Sequence, residues 1–287
     1  MKKESPLNNT FALVLERLVS ATASFLATFV VARYLLPEHF GQLSFLLALV
    51  SLLGPLMALG LNSLLTSELL KRPIDQQNII GTAIFLRFSC GLVVAVVSTL
   101  VAYPLIENWH LFSMLVFSSV WGAFSVIDFW LQANLANQYA ALLRVGSVLF
   151  VSVLRLWAVW MEAGWHVFVL ICCLDFFLVG FGYILLYQKF SNGVQNLRIS
   201  KDEIGKLLND SKWLFFSGIA AMIYLKVDQV MLGVLLDNKA VGIYSGAVKL
   251  SEVWYFIPAA LMTAYFPRLL QTRVSNRTEY LAQIQKL

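Results

Sequence analysis

Long apolar runs alternate along this chain with short polar connections, and the runs are similar in length. A helix rises 1.5 Å per residue, so about 20 residues cross the hydrocarbon layer. Stretches of that size fall at 11–32, 40–61, 79–102, 112–135, 141–160, 165–187, 213–235 and 240–264. Backbone inside lipid must satisfy its own hydrogen bonds, which predicts helices. The expected fold is all-α, a polytopic membrane protein with about eight transmembrane helices. The longest internal connection, 188–212, has Ser200 and Glu203 at capping-box spacing, followed by Ile204, Leu207 and Leu208 on one face. That pattern predicts a short amphipathic helix on the membrane surface. A second such segment starts near Thr278, with Leu281, Ile284 and Leu287 spaced by three. No connection has room for a catalytic domain.

Composition agrees with the pattern. Hydrophobic residues make up 59% and charged ones 13%, with a mean hydropathy of +0.75, whereas about a quarter of the residues of a soluble domain are charged. The formal charge of +5 does not indicate nucleic acid, because the cations form no continuous arm and lie mainly between spans. Read by the positive-inside rule, they orient the chain. With the N-terminus inside, cytoplasmic segments hold Lys2 and Lys3, then Lys71 and Arg72, then Lys189, Arg198, Lys201, Lys206 and Lys212, then Arg268, Arg273, Arg277 and Lys286. Outer connections hold only Arg33 and Lys239. Lys2 and Lys3 before an apolar run, with Ala21-Thr22-Ala23, imitate a secretory signal, but Glu16 and Arg17 interrupt its apolar centre. Cys90, Cys172 and Cys173 lie within spans and lack C-x-x-C spacing, so free structural thiols are expected.

An internal repeat is present. Leu35-Leu36-Pro37-Glu38-His39-Phe40-Gly41-Gln42-Leu43-Ser44 separates spans one and two. Leu235-Leu236-Asp237-Asn238-Lys239-Ala240-Val241-Gly242-Ile243-Tyr244-Ser245 separates spans seven and eight, with one residue inserted. Pro55 and Pro258 echo each other inside the helices that follow, where each removes a hydrogen bond and acts as a flexing point or a static kink. An even number of spans between the copies gives them the same orientation, the arrangement of parallel-repeat transporters that bind substrate between two lobes. The competing explanation is that short turns converge on this composition. On the repeat reading, 1–190 forms a six-helix N-terminal lobe, 191–212 a linker with the amphipathic helix, and 213–287 the first two helices of a second lobe and an amphipathic segment. About four helices of that second lobe would then lie in a longer protein or another chain.

Charged residues inside the spans are the sharpest functional signal. Glu16, Arg17, Arg87, Asp128, Arg144, Arg155, Asp175, Lys226, Asp228, Lys249 and Glu252 all fall within apolar stretches, where one charge near the bilayer centre costs about 3 kcal/mol on insertion scales. By depth, Glu16, Arg17, Arg87 and Asp128 form an inner tier, and Arg144 is shallow enough to snorkel. Arg155, Lys226, Asp228, Lys249 and Glu252, with Asp175 near mid-depth, form an upper tier. Lys249 and Glu252 share a helix face, whereas Lys226 and Asp228 are about 200° apart, which sends at least one of them to a different helix. The charges either serve a polar pathway or pair with one another to fix packing. Under the repeat, Glu16 and Arg17 correspond to Phe216 and Ser217, so the two lobes share a pattern but not its charges.

Ala32-Arg33-Tyr34-Leu35-Leu36-Pro37-Glu38-His39-Phe40-Gly41-Gln42-Leu43 resembles the first helix pair of bacterial polysaccharide biosynthesis membrane proteins. These are the O-antigen flippase type of the multidrug/oligosaccharidyl-lipid/polysaccharide exporter superfamily. Asp228-Gln229-Val230-Met231-Leu232-Gly233, Val241-Gly242-Ile243-Tyr244-Ser245 and Lys249-Leu250-Ser251-Glu252 are similar to that family's seventh and eighth helices. The resemblance implies a transporter, not an enzyme, in the bacterial inner membrane. Its cargo would be a polyprenyl-pyrophosphate-linked oligosaccharide for O-antigen, capsule or exopolysaccharide, moved by alternating access. For such a cargo, Arg17, Arg87, Arg155, Lys226 and Lys249 are candidate substrate contacts. Glu16, Asp128, Asp175, Asp228 and Glu252 are candidates for ion coupling or charge balance. The implied partners are the lipid-linked oligosaccharide, membrane lipids, and the polysaccharide polymerase and chain-length machinery, with no nucleic acid, cofactor or metal.

Two alternatives compete. A cation-coupled multidrug exporter of the same superfamily calls for a mainly acidic, aromatic cavity, which the cation-rich set disfavours. A membrane-embedded glycosyltransferase or polymerase calls for paired acids or metal ligands, but no D-x-D, His cluster or long outer loop is present. His39, His110 and His166 fall in connections, where solvated roles are expected. Trp109, Trp165, Trp213 and Tyr187 mark span ends. Trp121, Trp130, Trp157 and Trp254 lie deeper, where packing competes with sugar stacking.

Overall fold

The computed structural model describes residues 6–134, 136–191, 193 and 197–252, with side chains from Leu18 onward. The side chains of Glu16 and Arg17, together with Trp254, Pro258 and the segment from Thr278, lie outside that set. The described residues are helical, with no strand among them. The helices are α1 (Pro6–Ala58), α2 (Asn62–Lys71), α3 (Gln76–Ala102), α4 (Trp109–Ser119), α5 (Val126–Ala133), α6 (Asn137–Trp160), α7 (Trp165–Phe190), α8 (Lys201–Leu235) and α9 (Asn238–Glu252), and a 3-10 segment, Val120–Ser125, joins α4 to α5. Among these residues, 6 helical stretches are long and apolar enough to cross a membrane. The chain is a polytopic all-α membrane protein.

Two of the expected spans are parts of α1. The helix folds back at Leu36, whose φ of 59° and ψ of 167° are non-helical. Pro37 follows, with its ring-locked φ suited to a first helical turn and no N–H to leave unpaired. After Pro55 the second limb ends in a turn at Leu59 and Gly60, φ 54° and 67°. A side chain at Gly60 would come within 2.4 Å of the Phe215 backbone nitrogen. Glycine at this turn therefore lets α8 pass close to the end of α1.

Two features depart from the sequence expectation. The fourth span, expected to be one helix over 112–135, is interrupted by the 3-10 segment. The hydroxyls of Ser118 and Ser119 donate back to the carbonyls of Leu115 and Val116, and such bonds compete with the regular helical ladder. Glycines on neighbouring helices make room for the segment: Gly91 faces Val120, and a Cβ at Gly180 would meet the Trp121 carbonyl oxygen at 2.7 Å. The second departure is in the connection near 200. The expected surface helix runs without a break into the seventh span as the first turns of the 35-residue α8. Glu203 does not complete a capping box, because Arg72 takes its carboxylate and the Ser200 N–H donates to Thr82 Oγ1 at 3.1 Å.

The interior divides into two apolar clusters. One contains Ala83 of α3, Ile127 and Leu131 of α5, Tyr187 of α7 and Leu207 of α8. Lys71, Arg198 and Lys206 lie at the end of this half and make it the basic end of the molecule. The other contains Leu43 and Val50 of α1, Ala95 of α3, Leu115 of α4 and Phe168 of α7. On α3 the first cluster stops at Leu86 and the second begins at Val94. Arg87 stands at the gap.

Candidate functional site

Arg87 lies eleven residues into α3, about 17 Å from its basic end at 1.5 Å per residue. It is 8% exposed. Its Nε and Nη1 have no hydrogen-bond partner among the described residues. The side chain lines a cavity of about 340 Å³ together with Ser51, Gly54, Ser119, Gly122, Ser125 and Met222. The site therefore draws on the second limb of α1, on α3, on the end of α4, on the 3-10 segment, on α7 through Phe176 and on α8. Gly91, one turn after Arg87 on the same face, admits the 3-10 segment, whose Ser125 lines the cavity with Ser119 at the end of α4. The wall offers one guanidinium, several hydroxyls and apolar side chains, with no carboxylate among them. A buried cation without a partner is costly, and an anion placed here would take charge-assisted hydrogen bonds from it.

A second, smaller cavity of about 200 Å³ is lined by both Arg155 of α6 and Lys249 of α9, together with Ser24, Thr28 and Ser44. These two cations come from widely separated parts of the chain. Arg155 Nη2 approaches Cys172 Sγ at 3.7 Å, and Asp175 lies within its electrostatic reach. Lys249 donates to Glu252 Oε2 at 2.7 Å. The cations of this cavity are thus partly neutralised, unlike Arg87.

The remaining expected site residues whose side chains are described sit in pairs. Arg144 Nη1 donates to Asp128 Oδ1 at 2.7 Å and approaches the Tyr183 hydroxyl at 3.3 Å. Arg144 thus turns inward rather than snorkelling. Lys226 reaches Glu252 at 3.4 Å, and Asp228 accepts a hydrogen bond from the Tyr244 hydroxyl. Both contacts run from α8 to α9, at different heights, so neither residue of this pair finds a separate helix among the described residues. Of the inner tier's described side chains, Asp128 belongs to a pair and Arg87 faces a cavity.

The sequence reading missed a cluster at the basic end. α2 follows the second crossing and carries Glu68, which accepts from Lys71 at 3.0 Å and from Arg72 at 2.9 Å, with Lys206 at 3.8 Å. Arg72 also pairs with Glu203 at 2.5 Å. The hydrogen bond from Lys71, helped by Arg72 and opposed by burial, holds the Glu68 carboxyl below the ordinary glutamate range. The signal that could have found α2 is the four-residue spacing of Leu61, Leu65 and Leu69, all fully buried. No group of three or more His, Cys, Asp or Glu side chains suited to a metal ion occurs among the described residues.

No curated protein and no solved structure gives a significant match to this sequence. A family model described as polysaccharide biosynthesis protein matches residues 7–273. Matched over nearly its whole length, with membrane-crossing helices arranged around a buried cation, the chain belongs to the polysaccharide biosynthesis protein family.

Proposed function

We propose that the protein moves a polyprenyl-pyrophosphate-linked oligosaccharide from the inner to the outer leaflet of the bacterial inner membrane, as a transporter and not as an enzyme. The observation that carries this reading is Arg87, a buried guanidinium whose Nε and Nη1 have no partner among the described residues, on a cavity eleven residues into a membrane-crossing helix. In a family devoted to polysaccharide synthesis, a diphosphate is the anion that must cross a low-dielectric layer, and a cation held there lowers the barrier. The hydroxyls of Ser51, Ser119 and Ser125 supply donors for the remaining oxygens.

On this reading the basic end faces the cytoplasm, following the positive-inside rule, and the N-terminus lies on that side. Arg155 and Lys249 form a second station nearer the outer leaflet. Asp175 and Glu252 balance those cations when cargo is absent. The polymerase and chain-length machinery that use the flipped lipid are the expected neighbours.

Proteoliposomes containing the purified protein and a fluorescent short-chain prenyl-diphosphate saccharide test the proposal. Protein-dependent exposure of the saccharide to an added glycosidase is expected. Arg87→Gln should slow it about 10- to 100-fold, the loss of a charge-assisted hydrogen bond. Unchanged flipping in that variant overturns the role of Arg87. Transport of cationic dyes in place of the saccharide points to a multidrug exporter.

A further inference from the structure

A larger cavity than the one that holds Arg87 lies elsewhere in the described residues. At the end opposite the basic cluster, a groove of about 620 Å³ opens between the second limb of α1, the end of α3, the start of α4 and the end of α8, within the 300–1,000 Å³ of typical ligand sites. Its walls are apolar: Leu49 and Leu53 of α1, Val101 of α3 and Phe112 of α4. Ser98 lies along the α3 wall, and the other polar side chains, Gln42, Glu107, Asn108 and Asn238, come from the turns between helices or the first turns after them and form a rim. From Gln42 to Leu53 the groove follows about 17 Å of helix at 1.5 Å per residue, close to half of a hydrocarbon layer about 30 Å thick. Its length suits one chain of one leaflet. The rim combines one carboxylate with three amides and contains no cation.

We infer that this groove binds a phospholipid with a primary-amine headgroup, one acyl chain lying along α1 and the ammonium at Glu107. The amides of Gln42, Asn108 and Asn238 take the phosphate and ester oxygens as hydrogen-bond donors. Charge and hydrogen bonding together select the class: an ammonium with three N–H donors matches a carboxylate among amides, a quaternary ammonium carries the same charge but no N–H donor, and a net-anionic headgroup meets repulsion. The bound lipid bridges two parts of the chain, because Gly233, Val234 and Asn238 close one side of the groove while α1, α3 and α4 form the other. Its presence holds α8 against the first six spans at this end.

Native mass spectrometry of delipidated, detergent-purified protein tests the site, with matched-chain phosphatidylethanolamine, phosphatidylcholine and phosphatidylglycerol as probes. The first bound lipid should favour ethanolamine about two- to fivefold over choline, the net worth of an N–H hydrogen bond to the carboxylate at a solvent-open rim, with glycerol weakest. Glu107→Gln should remove that preference. Val101→Trp, at an exposed wall position, should fill the groove and abolish the first, saturable binding event while the protein stays monodisperse. Equal binding of all three lipids, a preference that survives Glu107→Gln, or saturable binding that survives Val101→Trp would each overturn the assignment. None of these readouts depends on saccharide transport, so the site stands or falls apart from the proposed flipping activity.

Discussion

Gly41 and Gly242 occupy matching places in one reciprocal contact. A Cβ at Gly41 would lie 1.7 Å from the Asn238 carbonyl oxygen, and one at Gly242 would lie 1.8 Å from the Pro37 carbonyl oxygen. Each glycine stands in the first turns of a helix, and each receives the opening residue of the other's helix. The two positions are equivalent in the sequence repeat. This mutual seating is what a two-fold relationship between the repeat copies would produce, and it gives both glycines the same physical reason: only a residue without a side chain lets the two backbones meet.

Gly242→Ala should therefore cost about 1–3 kcal/mol, the usual penalty of overpacking against atoms that cannot retreat. A Cβ at Gly246, one turn later on α9, would meet nothing within 4 Å. Gly246→Ala should be neutral or gain up to about 1 kcal/mol from helix propensity. Thermal unfolding of the two purified variants in detergent makes the comparison. Equal effects would contradict the close approach.

Asp128 and Arg144 form a close charge pair between two spans, at 2.7 Å with side-chain exposures of 17% and 28%. Neutralising either should destabilise by about 1–3 kcal/mol, because the partner is left poorly solvated. The double substitution Asp128→Asn with Arg144→Met should recover much of the loss. Additive losses in a double-mutant cycle would show that the two charges act separately.

The Glu68 cluster sets a pH dependence with a definite sign. A carboxyl whose folded pKa lies below its unfolded value, about 4.3 for glutamate, stabilises the fold above that unfolded value. The contribution is lost as pH falls through the folded value. Acidification below about pH 4.5 should loosen the join between α2 and the start of α8. Glu68→Gln should lower the unfolding temperature at neutral pH and flatten its fall on acidification. Parallel acid profiles for the two proteins would argue against the cluster as the source.

Much of the frame was legible in the sequence, because a backbone in lipid has few choices. Apolar stretches of the right length announce helices, and the Pro37 and Gly41 motif announces where α1 turns back. Periodicity put Lys249 and Glu252 on one face, where they pair at 2.7 Å, but it could not show which charges meet between helices. Lys226 and Asp228 diverge by about 200° on an ideal helix, yet α9 lies close enough for Glu252 and Tyr244 to reach both. The 3-10 segment was hidden for a different reason. Its apolar residues read as ordinary span, and the break depends on Gly91 and Gly180 on neighbouring helices. Arg87 was visible as a charge in grease, but its lack of partners among the described residues is a property of the whole bundle.

That isolation gives Arg87 a signature unlike that of a packing residue. Taking a guanidinium out of water without a partner is destabilising, and two of its nitrogens are buried without hydrogen bonds among the described residues. Arg87→Met, of similar length and apolar, should stabilise the protein by about 1–3 kcal/mol, since replacing an uncompensated buried polar group relieves its desolvation cost. The same substitution should stop surface polysaccharide display in cells that depend on this protein, at unchanged protein level. A packing role predicts the reverse: lower stability, with display reduced only as far as the protein is lost. Measuring the unfolding temperature of Arg87→Met beside its display phenotype separates the two, and lower stability with normal display would remove Arg87 from the transport path.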